Sequence, residues 1–170
     1  MLKSYNFLNN YCILNSQNIE IYTDGSCNPQ YQIGGWAALI FYNNEKVELK
    51  GIATKTTHNR MEITAVIESL EFILKKQIVY NSIKLFTDSQ YIVGISLRTN
   101  KLISKNFKTN RGNQIQNYDL VIKLIELMNS LNIELIKVKA HQKMSGTPNY
   151  NREVDILCRK LLRQQVNEKP

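Results

Sequence analysis

The chain alternates between short stretches in which every second residue is apolar and longer stretches in which apolar residues recur at helical spacing. The two-residue repeat predicts five strands, at residues 19–24, 36–42, 46–54, 82–88 and 133–140. The helical repeat predicts helices at 60–76, 117–130 and 151–166, with a short helix from Ser89. Short turns join the first three strands, which should pair antiparallel, whereas helical crossovers make the later strands parallel. The pattern therefore predicts an α/β domain with a five-stranded mixed sheet and helices on both faces.

The domain boundaries follow from the same pattern. A length of 170 residues fits one domain. We expect residues 1–18 to form an N-terminal leader of uncertain order, 19–166 the α/β domain and 167–170 a C-terminal tail. The leader lacks the unbroken apolar core of a signal peptide, and no later stretch could cross a membrane.

Cysteine usage and net charge limit the class of protein. Three widely spaced cysteines without a CxxC pair favour neither a disulfide framework nor a zinc site, and they are typical of a reducing compartment. A soluble, cytoplasmic monomer without a small-molecule cofactor is expected. The formal charge of +8 favours a polyanionic partner, and nucleic acid fits better than a small acidic ligand.

Four carboxylates fall at predicted element boundaries. Asp24 and Asp88 are expected at the carboxyl ends of their strands, just before turns. Glu62 and Asp155 are expected in the first turns of their helices, on stripes that face the sheet, with Asn59 as the N-cap before Glu62. Because strand ends and helix starts meet at one edge of an α/β sheet, the four side chains could form one acidic pocket.

Such a pocket suits divalent metal ions. Like charges at close range raise one another's pKa and cost stability unless cations compensate them, and hard oxygen ligands favour Mg²⁺, with Mn²⁺ as a substitute. Two ions about 3.5–4 Å apart could activate water and stabilise the leaving oxygen of a phosphodiester. His141, directly after the last predicted strand, could move protons.

Each of these residues also has a simpler interpretation. Asp24 and Asp88 could be turn or cap residues, and Glu62 and Asp155 could merely stabilise helix dipoles. His141 could be an ordinary exposed loop histidine. The metal-site interpretation is favoured because it accounts for all five residues together.

Four segments carry a resemblance to a known family. The sequences TDGSC at 23–27, TTHNRME at 56–62 and TDSQY at 87–91, followed by His141 and Asp155, resemble type 1 ribonuclease H over about residues 19–165. The resemblance implies endonucleolytic hydrolysis of the RNA strand of RNA/DNA hybrids by two metal ions. It implies metal ligands at Asp24, Glu62, Asp88 and Asp155, and a proton carrier at His141. It also implies that Cys27, Asn28, Asn59 and Gln90 contact the minor groove, where the 2′-OH distinguishes RNA from DNA.

A basic segment lies between the short helix and the helix at 117–130. It holds five cations and no acid: Arg98, Lys101, Lys105, Lys108 and Arg111. It could be a solvated loop, but relatives often place a DNA-gripping protrusion here, so we expect contacts with the hybrid. It has Phe107 where relatives tend to have tryptophans.

Two other functions remain open from the sequence. Integrases and resolvases, which cut DNA, share the predicted fold, although the NRME and TDSQY segments argue against them. A noncatalytic hybrid-binding module would keep the basic segment, although the complete set of four acids argues against it.

Overall fold

The five predicted strands form one mixed sheet. A computed structural model describes residues 17–139 and 148–167. The strands are β1 (Gln17–Asn28), β2 (Ile33–Tyr42), β3 (Glu45–Thr54), β4 (Tyr80–Thr87) and β5 (Ile133–Lys137), in the order β3-β2-β1-β4-β5. Antiparallel pairing joins β1 to β2 and β2 to β3, and parallel pairing joins β4 to β1 and to β5. The predicted fold class is confirmed.

Five helices connect or follow the strands in the described parts of the chain. They are α1 (His58–Lys76), α2 (Gln90–Leu97), α3 (Thr99–Ser104), α4 (Tyr118–Ser130) and α5 (Tyr150–Asn167). None of the helices in these parts is long and apolar enough to cross a bilayer. The leader, the segment containing His141 and most of the tail lie outside the described residues, so the predicted domain boundaries stay predictions.

The helices cover both faces of the sheet, as predicted. On one face, fully buried residues of β1 and β4, including Ile21 and Leu85, pack with Val66 and Leu70 of α1 and with Leu124 of α4. Two adjacent glycines of β2 mark the opposite sides. A Cβ atom on Gly34 would meet Met61 of α1, whereas one on Gly35 would meet Cys158 and Leu161 of α5.

Several predicted boundaries were wrong. The strand β1 does not end at Asp24 but continues to Asn28, because residues 25–28 pair with residues 33–36 of β2. The strand β5 ends at Lys137 instead of residue 140. The helix α1 begins at His58, and its N-cap is Thr57 instead of Asn59, because the Thr57 hydroxyl accepts a hydrogen bond from the Arg60 amide.

Candidate active site

Asp24 lies where β1 loses one of its neighbours. Its Cα pairs with Ala37 of β2, but the parallel pairing of β1 with β4 ends at Tyr22. Asp88 directly follows the last residue of β4. The divergence of β1 and β4 therefore opens the edge of the sheet between these two carboxylates.

Glu62 reaches this opening because α1 packs very closely on β1. A Cβ atom on Gly25 would lie 2.4 Å from both the Glu62 nitrogen and the Met61 carbonyl carbon. Only glycine therefore permits this approach. The Glu62 carboxylate is buried and accepts a 2.6 Å hydrogen bond from the Ser89 hydroxyl, and its other oxygen lies 3.3 Å from His58 Nε2.

Asp155 comes from the opposite face, on α5. Two contacts hold this helix against the sheet near the opening: the Tyr150 ring packs on Phe41, with centroids 4.4 Å apart, and Cys158 Sγ donates to the Asp24 carbonyl at 3.1 Å. Arg159, one turn after Asp155, donates from Nε to its carboxylate at 2.7 Å. Asp155 and Glu62 are both in the second turns of their helices, instead of the first turns as predicted.

The four carboxylates line one cavity of about 630 Å³. We call it the acidic cavity, and it is bounded by Asp24, Gly25, Ser26, His58, Asn59, Glu62, Asp88, Ser89, Gln90, Tyr91, Arg98, Asp155 and Arg159. The structure thus brings together four acids that come from four separate stretches of the sequence.

Burial and mutual repulsion perturb the charges in this cavity. Desolvation raises the pKa of the Asp24 carboxyl to about 7, and the charges of Asp88 and Asp155 add to the rise. The pKa of His58 is also raised, chiefly by its hydrogen bond to Glu62. The cavity therefore favours bound positive charge or protons near neutral pH.

The oxygen ligands of the four acids fit a hard divalent cation in chemical type, but their side chains are not grouped around one point. All four acids offer oxygen ligands, and at Asp24 the negative charges of Asp88 and Asp155 add to the effect of burial in raising the pKa of the carboxyl. Within the described residues, however, no three acidic, His or Cys side chains are grouped closely enough to ligate one ion. Each carboxylate instead accepts a hydrogen bond from the protein. The donors are the Gly25 amide to Asp24, Ser89 to Glu62, Asn151 to Asp88 and Arg159 to Asp155.

The other predicted site residues in residues 17–139 and 148–167 fall into three groups. Asn59, Gln90 and Arg98 line the acidic cavity. Cys27 and Asn28 lie beyond it at the end of β1, where Cys27 Sγ is 3.5 Å from the Thr56 carbonyl and Asn28 Oδ1 accepts hydrogen bonds from the next turn. The remaining cations, which do not line the cavity, are Lys101, Lys105, Lys108 and Arg111.

The basic segment is more ordered than a loop. Its first part forms α3, and Lys108 then makes a β-bridge with Gln114. Phe107 is half-buried and packs edge-on against Tyr118, with ring centroids 5.5 Å apart. Unlike the other four cations of the segment, Arg98 lines the acidic cavity, and it lies between α2 and α3.

The sequence interpretation missed three polar residues of the cavity wall. His58, Ser89 and Arg159 each contact one of the four acids. A signal was present for two of them, since His58 precedes Glu62 by four residues and Arg159 follows Asp155 by four, the spacing at which helical side chains meet. The contact between Ser89 and Glu62 joins distant segments and had no local signal.

The topology and the placement of the acids define the ribonuclease H-like class of α/β proteins. The family model for RNase H matches residues 16–163. The chain therefore belongs to the ribonuclease H family and is a nuclease, which confirms the family predicted from the motifs.

Individual relatives agree with this assignment. A ribonuclease H of Chlorobium luteolum is 36% identical over 156 residues, covering 91% of this chain and 99% of the relative. One from Caldicellulosiruptor saccharolyticus is 34% identical over 151 residues, covering 87% and 98%. Among solved structures, LC9-RNase H1, described as a type 1 RNase H with the type 2 active-site motif, superposes with a TM-score of 0.73. It is 24% identical, with 88% of this chain and 74% of that chain covered.

Proposed function

We propose that the protein is an endonuclease that hydrolyses the RNA strand of RNA/DNA hybrids with two divalent metal ions, Mg²⁺ or, as a substitute, Mn²⁺. The observation that carries this proposal is the convergence of Asp24, Glu62, Asp88 and Asp155 on one cavity in a chain of the ribonuclease H family. Turn or cap roles would explain each acid separately but not their meeting.

The four carboxylates would hold the ions. Bound divalent ions supply an activated water and stabilise the departing oxygen. The protein's own contribution is orientation: the Ser89 hydroxyl fixes one oxygen of Glu62, and the Gly25 amide fixes one oxygen of Asp24. Arg159 orients Asp155 through the hydrogen bond from its Nε.

The polar walls of the cavity would recognise the hybrid. Asn59 and Gln90 flank the acids and can reach sugar hydroxyls, and Arg98 can pair with a phosphate. Cys27 and Asn28, at the end of β1, would extend these contacts along the minor groove. The basic segment beyond α2 would hold the DNA strand through phosphates.

Three further predictions belong to this proposal. His141 is proposed as the proton carrier on the strength of the motif and of its position shortly after β5, and it lies outside the described residues. A monomeric state and a cytoplasmic location also remain predictions.

A cleavage assay tests the function directly. The purified protein with Mg²⁺ or Mn²⁺ is expected to cut RNA in a labelled hybrid and to leave duplex DNA and duplex RNA intact. Asp88→Asn should reduce cleavage to background, because it removes a charged ligand. Asp119→Asn is the matched control, since this exposed acid pairs with Arg60 outside the cavity.

The outcomes separate the competing functions. Preferential cutting of duplex DNA would support an integrase-like or resolvase-like activity. Binding of hybrid without cleavage by the unmodified protein would support a noncatalytic binding module. Equal activity of the Asp88→Asn and Asp119→Asn variants would refute the assigned metal site.

A further inference from the structure

A second groove runs from the acidic cavity along the exposed side of α5. It has a volume of about 640 Å³ and shares Asp88, Asp155 and Arg159 with the acidic cavity. We call it the α5 groove, and its remaining lining residues are Asn151, Arg152, Ile156, Lys160, Arg163, Gln164 and Asn167. The two cavities are therefore continuous at the carboxylates.

The α5 groove is acidic where it meets the acidic cavity and basic farther along α5. Among the described residues that line it, the acids are Asp88 and Asp155, and the lining beyond them carries cations and amides. Lys160 and Arg163 are exposed, and no carboxylate of the described residues forms an ion pair with either. Beyond the Arg159–Asp155 pair, Lys160 and Arg163 therefore offer positive charge that no described carboxylate neutralises, close to a proposed phosphodiester-cleaving site, and this matches the charge of a nucleic-acid strand.

The shape of the groove favours a single strand over a duplex. The stretch of α5 from Asp155 to Asn167 is about 18 Å long, enough for roughly three to five nucleotides. The α5 groove lies on the face of the sheet opposite α1, whereas α2 and the basic segment pack with α1 and α4. A stiff hybrid held by the basic segment would have to bend around the sheet edge to enter the groove, but a single strand can turn there.

The groove also offers surfaces for unpaired bases. Ile156 exposes 51% of its surface in the lining, and the amides of Asn151, Gln164 and Asn167 can donate and accept hydrogen bonds. Bases of a duplex hide these edges and faces, whereas a single strand presents them.

We propose that the α5 groove binds the single-stranded continuation of the RNA strand where it leaves the hybrid. The choice of RNA rests on the proposed function, because the strand that lies at Asp88 and Asp155 during cleavage would be the one that continues into the groove. The enzyme would then prefer hybrids at the junction of a duplex and an RNA tail.

Binding in EDTA tests this inference without cleavage. The affinity of a fluorescent blunt hybrid is compared by anisotropy with that of hybrids carrying a 5′ or 3′ RNA tail, or a DNA tail of equal length. One polarity of RNA tail is expected to tighten binding by about tenfold. The double variant Lys160→Gln/Arg163→Gln should bring the ratio of tailed to blunt affinity close to one. The slope of log affinity against log salt concentration for the tailed hybrid should become shallower by about 1.4, because two single-strand phosphate contacts are lost.

Two control variants show whether the groove itself is responsible. Lys75→Gln/Lys76→Gln removes the same charge from exposed residues at the end of α1 and should keep the tail preference. Arg163→Lys keeps the charge and should retain most of the preference, which rules out a general loss of folding. Thermal unfolding of each variant verifies the folded state.

Failure of this inference is distinguishable from failure of the proposed function. If the unmodified protein binds hybrids but never cuts them, the function is wrong, while the tail ratio still decides the role of the groove. Cleavage without an RNA-tail preference, an equal effect of a DNA tail, or a preference that survives Lys160→Gln/Arg163→Gln would each overturn the inference.

Discussion

The hydrogen-bond donors that face the four carboxylates differ in charge, and this difference determines where negative charge remains. The Gly25 amide, the Ser89 hydroxyl and the Asn151 amide orient an acid without neutralising it. Arg159 both orients and neutralises Asp155. Because His58 lies beside Glu62 and Arg159 beside Asp155, negative charge without a basic neighbour is concentrated on Asp24 of β1 and on Asp88 at the end of β4.

The first prediction concerns Asp24 and pH. Its folded-state pKa is raised to about 7 from an ordinary value of 3.8, so its contribution to stability is greatest when it is protonated and declines as the pH rises through that interval. The raised pKa of His58 acts in the same direction. In EDTA, Asp24→Asn should therefore stabilise the protein by about 2 kcal/mol at about pH 8, and by much less at about pH 5.

Urea unfolding at the two pH values measures this effect. Asn keeps an oxygen that can accept from the Gly25 amide, so the substitution removes the charge with little change of shape. Asp119→Asn is the control, and it should destabilise instead, because the Arg60 ion pair lowers the pKa of Asp119. A stabilisation by Asp24→Asn that is equal at both pH values would contradict the electrostatic explanation.

A second prediction concerns competition for Asp155. Arg159 and a divalent ion both require the oxygens of this carboxylate, so removing the guanidinium should favour the ion. We expect Arg159→Ala to tighten Mn²⁺ binding by about threefold, which corresponds to the free energy of a partly exposed ion pair. Isothermal titration without nucleic acid measures it, with Lys160→Ala as a control of equal charge change. Weaker Mn²⁺ binding by Arg159→Ala would mean that Arg159 positions Asp155 for the ion.

Predictability at the residue scale depended on local signals. Asp24, Glu62 and Asp88 could be predicted because each stands in a recognisable motif, although only Asp88 lies directly at the end of its element. Arg98 was predicted as part of the basic segment, yet this exposed residue also lines the acidic cavity, where its Nε donates to the Gly94 carbonyl one turn earlier. Which residues line a cavity depends on tertiary packing that periodicity does not encode.

At the scale of elements, the close contact between β1 and α1 controls the site. The Met61–Glu62 backbone occupies the space that a side chain at position 25 would need. Gly25→Ala should destabilise the protein by about 2–3 kcal/mol, because backbone cannot yield as a flexible side chain can. It should also lower cleavage more than the unfolded fraction explains, since α1 carries Glu62.

Gly94→Ala in α2 provides the comparison. An added Cβ there meets only Arg98 Nη2, at 3.4 Å, and alanine favours the helix by about 1 kcal/mol. Its free energy of unfolding in urea should equal or exceed that of the unmodified protein. If Gly25→Ala were as stable as Gly94→Ala, the close approach of α1 would not determine the position of Glu62.

The existence of elements was more predictable than their limits. Strands and long helices follow from hydrophobic spacing, which is a property of consecutive residues. The extension of β1 to Asn28 depends instead on pairing with β2, and α3 arises in a segment whose composition indicated a loop. Both depend on contacts with other elements, namely β2 for the end of β1 and the core beside Leu102 for α3, so the pattern of the segment alone does not reveal them.

At the scale of the whole molecule, opposite charges are segregated. Four of the 14 acidic residues line one cavity, while cations lie in the basic segment on one face and along α5 on the other. An acidic cavity between two basic surfaces can attract a polyanion and still bind cations at its centre. Composition favours a polyanionic partner, and the fold adds that, among the described residues, the acidic cavity has the basic segment on one side and the cations of α5 on the other.

The last prediction distinguishes direct phosphate contacts by the basic segment from nonspecific attraction due to the net charge of the protein. Lys101 and Lys108 are exposed, and removing one phosphate contact should lower the salt dependence of binding to a blunt hybrid by about 0.9 in logarithmic slope. Lys101→Gln/Lys108→Gln should therefore reduce the slope by about 1.8, measured by anisotropy between about 50 and 200 mM salt. The control Lys75→Gln/Lys76→Gln changes the net charge equally but should leave the slope intact, because counterion release depends on the number of phosphates in contact with the protein and not on its total charge. Equal slopes for the two double variants would place the duplex elsewhere on the surface.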